Sequence, residues 1–363
     1  MIPGQGIAAV ARHFQFRGEI SSIAPHGNGH INDTCCVSSH AGGAPMRYIL
    51  QRINRNVFHD PAAVMQNIER VSTHIAAQEA GNPDAARRVL SLIPAHDGRA
   101  SYVDPEGDTW RAYSFIENAH TCESATSTDQ AFQAARAFGR FQRQLANLPA
   151  PRLKEVIPDF HNTPKRFAAL EQAIAADSHG RADLARPEID FALARHPLAN
   201  ILLNANLPER ITHNDTKLNN VMFDDTSGEA ICVIDLDTVM PGLALYDFGD
   251  MVRTTTNPAA EDEQELSKVT MQMSFFEPLM RGYLETAGGF LTPQEKLHLA
   301  VAGKLLTFEQ GIRFLADYIA GDVYYKVHRE GHNLHRCRTQ FKLVESMEQQ
   351  EDAINRLVAS IAS

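Results

Sequence analysis

Asp215, Asn220 and Asp235 have the residue types and the spacing to handle a phosphoryl group. The first two lie in the polar run His213-Asn214-Asp215-Thr216-Lys217-Leu218-Asn219-Asn220. The third opens Asp235-Leu236-Asp237, directly after the apolar run Ile231-Cys232-Val233-Ile234. Between the clusters, Asp224-Asp225-Thr226-Ser227-Gly228 is turn chemistry of the kind that reverses a hairpin. The chain is therefore expected to leave the first cluster along a strand at 221–223, turn, and return along a second. That brings Asp215, Asn220 and Asp235 to one edge of a small sheet. Phosphoryl transfer from ATP needs a carboxylate to orient the acceptor hydroxyl and take its proton, oxygen ligands for Mg²⁺, and a cation for the transferred group. In H-x-D-x-K-x-x-N, Asp215 fits the base and Lys217 the cation, while Asn220 and Asp235 offer the hard oxygens that Mg²⁺ requires. His213 reads as a prop for the loop. The octad alone is also compatible with a capped polar turn; an apolar strand and I-D-x-D at this distance favour the kinase-type site.

Such a site needs a second wall to hold the nucleotide. Residues 1–117 read as a β-rich N-terminal nucleotide-binding lobe containing one helix. Gly27-Asn28-Gly29-His30 is a turn entering a β run at 34–38, and glycines such as Gly27 and Gly29 let backbone N–H groups approach phosphates. A second strand is expected at 47–54, RYILQRIN. A kinase-like lobe presents a lysine from its third strand, yet there is no lysine before Lys154. Alternation sets Tyr48, Leu50, Arg52 and Asn54 on one face and Ile49, Gln51 and Ile53 on the other. Arg52 is thus the expected phosphate cation, with Gln51 in its place if the register differs by one. Asp60-Pro61 opens a helix whose apolar stripe is Val64, Ile68, Val71 and Ile75; Glu69 beside that stripe is a candidate partner for Arg52. Further β runs are expected at 88–94 and 110–116. The chain then crosses at Glu117, where the adenine is expected to read backbone groups.

Residues 118–363 form the expected C-terminal catalytic and substrate-binding lobe, mainly helical. Phe132, Ala135, Phe138, Phe141 and Leu145 follow a helical period. Asp247, just inside a helix after a turn at 240–242, reads as a carboxylate accepting backbone N–H bonds from the loop that carries Asp215. Arg313 and Asp317, four apart, share a helix face. They are either a surface ion pair or, with Tyr324 and the aromatics nearby, part of a rim suited to a sugar. The tail at 333–361 is an amphipathic pattern expected to pack on this lobe.

The composition is that of an ordinary globular protein, with 44% hydrophobic and 21% charged residues. A net charge of −10 argues against nucleic acid or an acidic membrane surface as partner. Five cysteines without a CxxC pair suit reduced thiols in a cytoplasm better than disulfides or a zinc site. There is no apolar run long enough for a membrane span and no signal-peptide pattern.

HNDTKLNN, ICVIDLDT and GLALYDFGD together resemble the aminoglycoside phosphotransferase and choline kinase superfamily. GNGHINDT, YILQRIN, IDLDTVMPGL and GIRFLADY with GDVYYK are most similar to N-acetylhexosamine 1-kinases. The resemblance implies an α+β, protein-kinase-like two-lobed fold. It also implies ATP- and Mg²⁺-dependent phosphorylation of the anomeric hydroxyl of N-acetylglucosamine or N-acetylgalactosamine. In it Asp215 is the base, Asn220 and Asp235 the metal ligands, and Arg52 a phosphate contact. The alternatives are a kinase of the same fold acting on choline, an aminoglycoside or homoserine, a catalytically silent nucleotide-binding regulator, and an interaction module built on the tail.

Overall fold

The computed structural model describes residues 4–27 and 31–362. Alternating burial builds the N-terminal sheet. Strands β1 (Glu19–Pro25), β2 (Asp33–Ala41), β3 (Ala44–Arg52), β4 (Leu92–Ile93), β5 (Tyr102–Val103) and β6 (Thr109–Ser114) form an antiparallel sheet in the order β1-β2-β3-β6-β4, with β5 on β6. One face packs Val37, Tyr48, Leu50, Trp110 and Ala112 against Val10 of helix α1 (Gly4–Ala11) and Phe14 just after it. The other face carries Gln51 and, opposite it in register, Arg111, and it looks towards the rest of the molecule.

Helix α2 (Pro61–Glu79) begins where Asp60 Oδ1 accepts the Ala63 N–H at 2.9 Å, with Pro61 preset for the first turn. It buries Val64, Ile68, Val71 and Ile75, each contributing about 1.5–3 kcal/mol. Expected strand 88–94 is shorter than its pattern. Arg88 ends a short helix α3 (Ala85–Arg88), because Arg87 and Arg88 are drawn to Asp224 and Glu229, and only Leu92–Ile93 pairs.

The C-terminal part is helical: α4 (Thr128–Leu145), α5 (Thr163–Ala176), α6 (Arg186–Ala194), α7 (Ile201–Asn204), α8 (Ala244–Thr255), α9 (Met273–Ala287), α10 (Pro293–Leu297), α11 (Leu299–Ile319), α12 (His332–Gln349) and α13 (Glu351–Ile361). Two small sheets sit in it: β7 (Ala119–His120), β9 (Val221–Asp224) and β10 (Ala230–Val233) in the order β10-β9-β7, and β8 (Arg210–Thr212) with β11 (Met240–Gly242). Residues 240–242 are therefore an edge strand rather than a turn; Pro241 is tolerated there because its partner needs no N–H from it. The amphipathic tail is two helices, packing Leu343, Met347, Ile354 and Val358 into the main core. Helices α4 and α9 cross at closest approach through Gly139 and Gly282, where a Cβ at either would run into the other helix's backbone. Among the described residues no helix is long and apolar enough to cross a membrane.

Candidate active site

The loop at 213–220 is held from below by α8. Asp247, fully buried, accepts the His213 N–H at 2.9 Å on Oδ2 and the Asn214 N–H at 2.7 Å on Oδ1. Gln142 of α4 donates to Oδ2 at 2.7 Å, and Tyr283 of α9 donates its hydroxyl to Gln142 at 2.6 Å. One turn on, Asp250 accepts the Thr216 N–H at 2.8 Å. Two carboxylates on one helix thus meet three N–H donors of the loop, those of His213, Asn214 and Thr216, with charge-assisted bonds. The ring of His213 lies between the edges of Phe138 and Phe141. Its Nε2–H donates to Ile234 O at 2.9 Å, which leaves Nδ1 to accept the Asp215 N–H at 3.3 Å and so joins the loop to the end of β10.

On this footing Asp215 faces the cleft, with its side chain 27% exposed. Lys217 Nζ reaches its Oδ1 at 2.8 Å, and Asn220 Nδ2 donates to its carbonyl at 2.8 Å and to Oδ2 at 3.1 Å. Burial raises the Asp215 pKa, but the Lys217 ammonium, helped by His213 and Arg253, outweighs it and holds the group below the ordinary carboxylate value. Asp215 is therefore an ionised acceptor at neutral pH.

Asp235 follows β10 in a left-handed conformation, φ 58°, which turns its carboxylate towards Asp215. Among the described residues neither its two oxygens nor Asn220 Oδ1 receive a hydrogen bond, so three hard oxygens on two residues are free for a divalent cation. There is no cluster of three acidic, His or Cys ligands among the described residues. The pair suits an ion whose other ligands come from phosphate and water rather than a closed protein cage. Burial first, then the charges of Asp237 and Asp215, push the Asp235 carboxyl up to about 6. A carboxyl raised in the folded state favours folding below its unfolded value near 3.8 and loses that contribution as pH rises through about 6. Without divalent cations, the protein should therefore lose roughly 2 kcal/mol more stability than Asp235→Asn between pH 4 and 7, measured by denaturant titration. Parallel pH profiles would contradict this.

The small lobe departs from expectation in its cation. Arg52 lies on the same face as Leu50 and is taken up by Asp33, at 2.5 Å, and Asp108, at 2.8 Å. Gln51 is the residue facing the cleft. Alternation predicts the two faces but not which one meets the other lobe. Glu69 is exposed and does not meet Arg52; its neighbour Asn67 is buried, donating to Lys154 O and Val239 O at 2.8 and 2.9 Å. Glu117 pairs with Arg47, and its carbonyl accepts Arg87 Nε at 2.9 Å. That carbonyl keeps a second lone pair, so the Arg87 bond does not by itself exclude an adenine donor there. Gly27 opens the turn after β1 with φ 75°; Gly29 lies outside the described residues.

Behind Asp215 a second cluster gathers around Glu309 of α11, which is 1% exposed. His161 Nδ1 lies 2.8 Å from Glu309 Oε1, and Thr163 donates to Oε2 at 2.6 Å. The Arg313 guanidinium lies over the Phe160 ring at 4.9 Å and near that of Tyr325 at 5.9 Å. Asp317 does not pair with Arg313. Its carboxylate accepts the N–H groups of Val323, Tyr324 and Tyr325 at 2.8–2.9 Å and the Asn333 amide at 2.9 Å. It thus shapes the connection that carries Tyr325 and the 59%-exposed Tyr324. Asp317→Ala should raise the KM for the acceptor roughly tenfold and leave that for the nucleotide unchanged. Equal KM values in mutant and parent would place this connection off the acceptor path.

The arrangement also has a counterpart among known proteins. The model of the phosphotransferase enzyme family, APH, matches residues 22–290. The chain belongs to the APH phosphotransferase family. Among solved structures, a microcompartment-associated aminopropanol kinase is 18% identical, with a TM-score of 0.58, over 97% of this chain and 98% of its own. A spectinomycin phosphotransferase in complex with ADP and spectinomycin is 12% identical at TM-score 0.59, over 97% and 99%. The Plasmodium vivax ethanolamine kinase is 14% identical at TM-score 0.54, over 89% and 82%. These identities speak for the fold, which is α+β and protein-kinase-like. In this APH phosphotransferase, sequence reasoning gives no role to Arg111 or Glu309 and uses Asp237 only as the second acid of I-D-x-D. The signal available for Arg111 and Glu309 is a lone charge inside an otherwise apolar strand or helix face.

Proposed function

We propose that this phosphotransferase moves the γ-phosphoryl group of ATP to the anomeric hydroxyl of an N-acetylhexosamine, N-acetylglucosamine or N-acetylgalactosamine. The observation that carries the choice of acceptor is the Arg313 guanidinium set among aromatic rings, with the nearby carboxylates already partnered. Asp215 is paired with Lys217, Asp250 and Glu261 share Arg253, and Glu309 lies 2.8 Å from His161 and 4.0 Å from Arg313. Arg313 adds a positive charge beside the aromatic faces of Phe160 and Tyr325. Each of these carboxylates already has a partner, so none is held open for an ammonium-bearing acceptor, while the guanidinium keeps N–H donors beside the rings. Amide carbonyls and ring hydroxyls suit such a donor, and apolar ring faces suit the aromatics.

In this reading Asp215 accepts a hydrogen bond from the sugar O1–H and takes its proton as the phosphoryl group passes over. Lys217 neutralises charge on that group, and Asn220 Oδ1 and Asp235 would hold Mg²⁺. A bound Mg²⁺ would neutralise phosphate charge and keep the phosphates in line. The protein contributes positioning and charge, with no covalent intermediate. ATP offered with a panel of sugars and amino alcohols tests this. The expected result is ADP release with N-acetylhexosamines and a product that is non-reducing and acid-labile. Faster turnover of choline, ethanolamine, homoserine or an aminoglycoside, or a product that keeps its reducing end, would overturn it. Arg313→Met should raise the acceptor KM by roughly tenfold to a hundredfold, the loss of one charged hydrogen bond, with the KM for ATP unchanged.

A further inference from the structure

We infer that Arg111 is the small lobe's phosphate-binding cation, and that Gln51 and Asp237 are its positioning residues. The inference rests on the kinase reading above and concerns its nucleotide half. With no lysine before Lys154 and with Arg52 committed to Asp33 and Asp108, the sheet needs another cation on its cleft face. Arg111 stands there, opposite Gln51 across the β3–β6 register, with its side chain 1% exposed. Its Nε donates to Gln51 Oε1 at 3.0 Å, and Gln51 Nε2 donates onward to Thr34 Oγ1 at 3.0 Å. One terminal nitrogen, Nη1, donates to Asp237 Oδ1. Among the described residues no acceptor takes the other, Nη2, so two N–H groups of a planar fork are left for a ligand.

Asp237 ties this cation to the site. It lies two residues after Asp235, and its second oxygen accepts Asn32 Nδ2 at 2.6 Å from the connection between β1 and β2. Asn32 Oδ1 in turn accepts the Asn54 N–H at 3.0 Å. Asn32 between β1 and β2, Asn54 just after β3, and the turn that holds Asp235 and Asp237 are therefore linked to one guanidinium. Arg111 also lies close enough to Asp235 for its charge to act on that carboxylate. Charge count points the same way. With Arg111 present, Asp235, Asp237 and a divalent ion leave one positive charge facing the phosphates; without it they leave none.

A purely structural ion pair between the lobes makes a different prediction, and ligand choice separates the two. Arg111→Met alone would strand a buried Asp237, so the informative variants are Arg111→Met with Asp237→Asn, and Arg111→Lys. Binding of Mg·ATP, Mg·ADP and adenosine is measured by calorimetry on each variant and on the parent protein, with melting curves alongside. The expected result for the double variant is a roughly tenfold to hundredfold weaker affinity for both nucleotides, with adenosine affinity kept. Arg111→Lys, which keeps the charge but not the fork, should fall between. Adding Gln51→Lys to the double variant should recover nucleotide affinity from the third strand. Equal losses for ATP and adenosine, or unchanged ATP affinity, would overturn the assignment. If the double variant does not fold, Arg111→Lys alone decides: ATP affinity equal to the parent's, or a loss shared by adenosine, overturns it. A parent protein that binds no ATP would sink the kinase reading itself, which is a separate outcome.

Discussion

Asp215→Asn should bind nucleotide as the parent does and turn over roughly a thousandfold more slowly. The substitution is nearly isosteric and stays within the loop's hydrogen bonds, since Asp247 and Asp250 hold the backbone on either side. What it removes is the ionised acceptor. An amide oxygen can still orient a hydroxyl but cannot take its proton, and the Lys217 partner is lost with it. Stability should change little, because that ion pair is partly exposed and such pairs contribute at most about 1 kcal/mol. Turnover and isothermal nucleotide binding, measured on the same preparation, check the two halves. Turnover within a few-fold of the parent would remove Asp215 from the role of base. Lost nucleotide binding would show instead that the substitution had disturbed the metal-binding face.

The second large effect is on folding. Asp247→Ala strands the N–H groups of His213 and Asn214 and the amide of Gln142 in a site with no exposure to water. Each unsatisfied buried donor costs about 1–3 kcal/mol, so denaturant titration should show a loss on the order of 4 kcal/mol. Turnover should fall as well, because Asn214 sits at φ 66° and Asp215 follows it. A non-glycine residue in that region holds only where its surroundings over-determine it. Asp247→Asn should lie between, since its amide retains one acceptor but points a second donor at the loop. A loss below about 1 kcal/mol for the alanine variant would mean that the loop carries its own conformation.

Much of the hairpin that carries Asp215, Asn220 and Asp235 was legible because its parts are close in sequence. A polar octad, an apolar strand, a turn and a second strand ending in Asp235 span little more than twenty residues. Turn chemistry closes such a loop at small entropic cost, so pairing Val233 with Val221 leaves few alternatives. Capping is local in the same sense: Asp60 ahead of Pro61 and the Thr292–Glu295 box can be read from three-residue spacings. The faces of β3 were legible too, but not their outlook. Alternation separates Gln51 from Arg52 without saying which face packs on helix α1 and which meets the other lobe.

By itself, the sequence determined most element types, though not those at 88–91 and 240–242, the hairpin around Asp215, Asn220 and Asp235, and with it a phosphotransferase of this fold. Only the tertiary structure decided which cations and carboxylates sit around that hairpin. Arg111 meets Asp237 across 126 positions, and His161 meets Glu309 across 148. Asp317 turned from a rim residue into the anchor of the connection that holds Tyr324 and Tyr325. The reason is physical. Periodicity and turn propensity act over a few residues, whereas the partner of a buried charge depends on how two lobes and a helix bundle dock, and no local pattern records that.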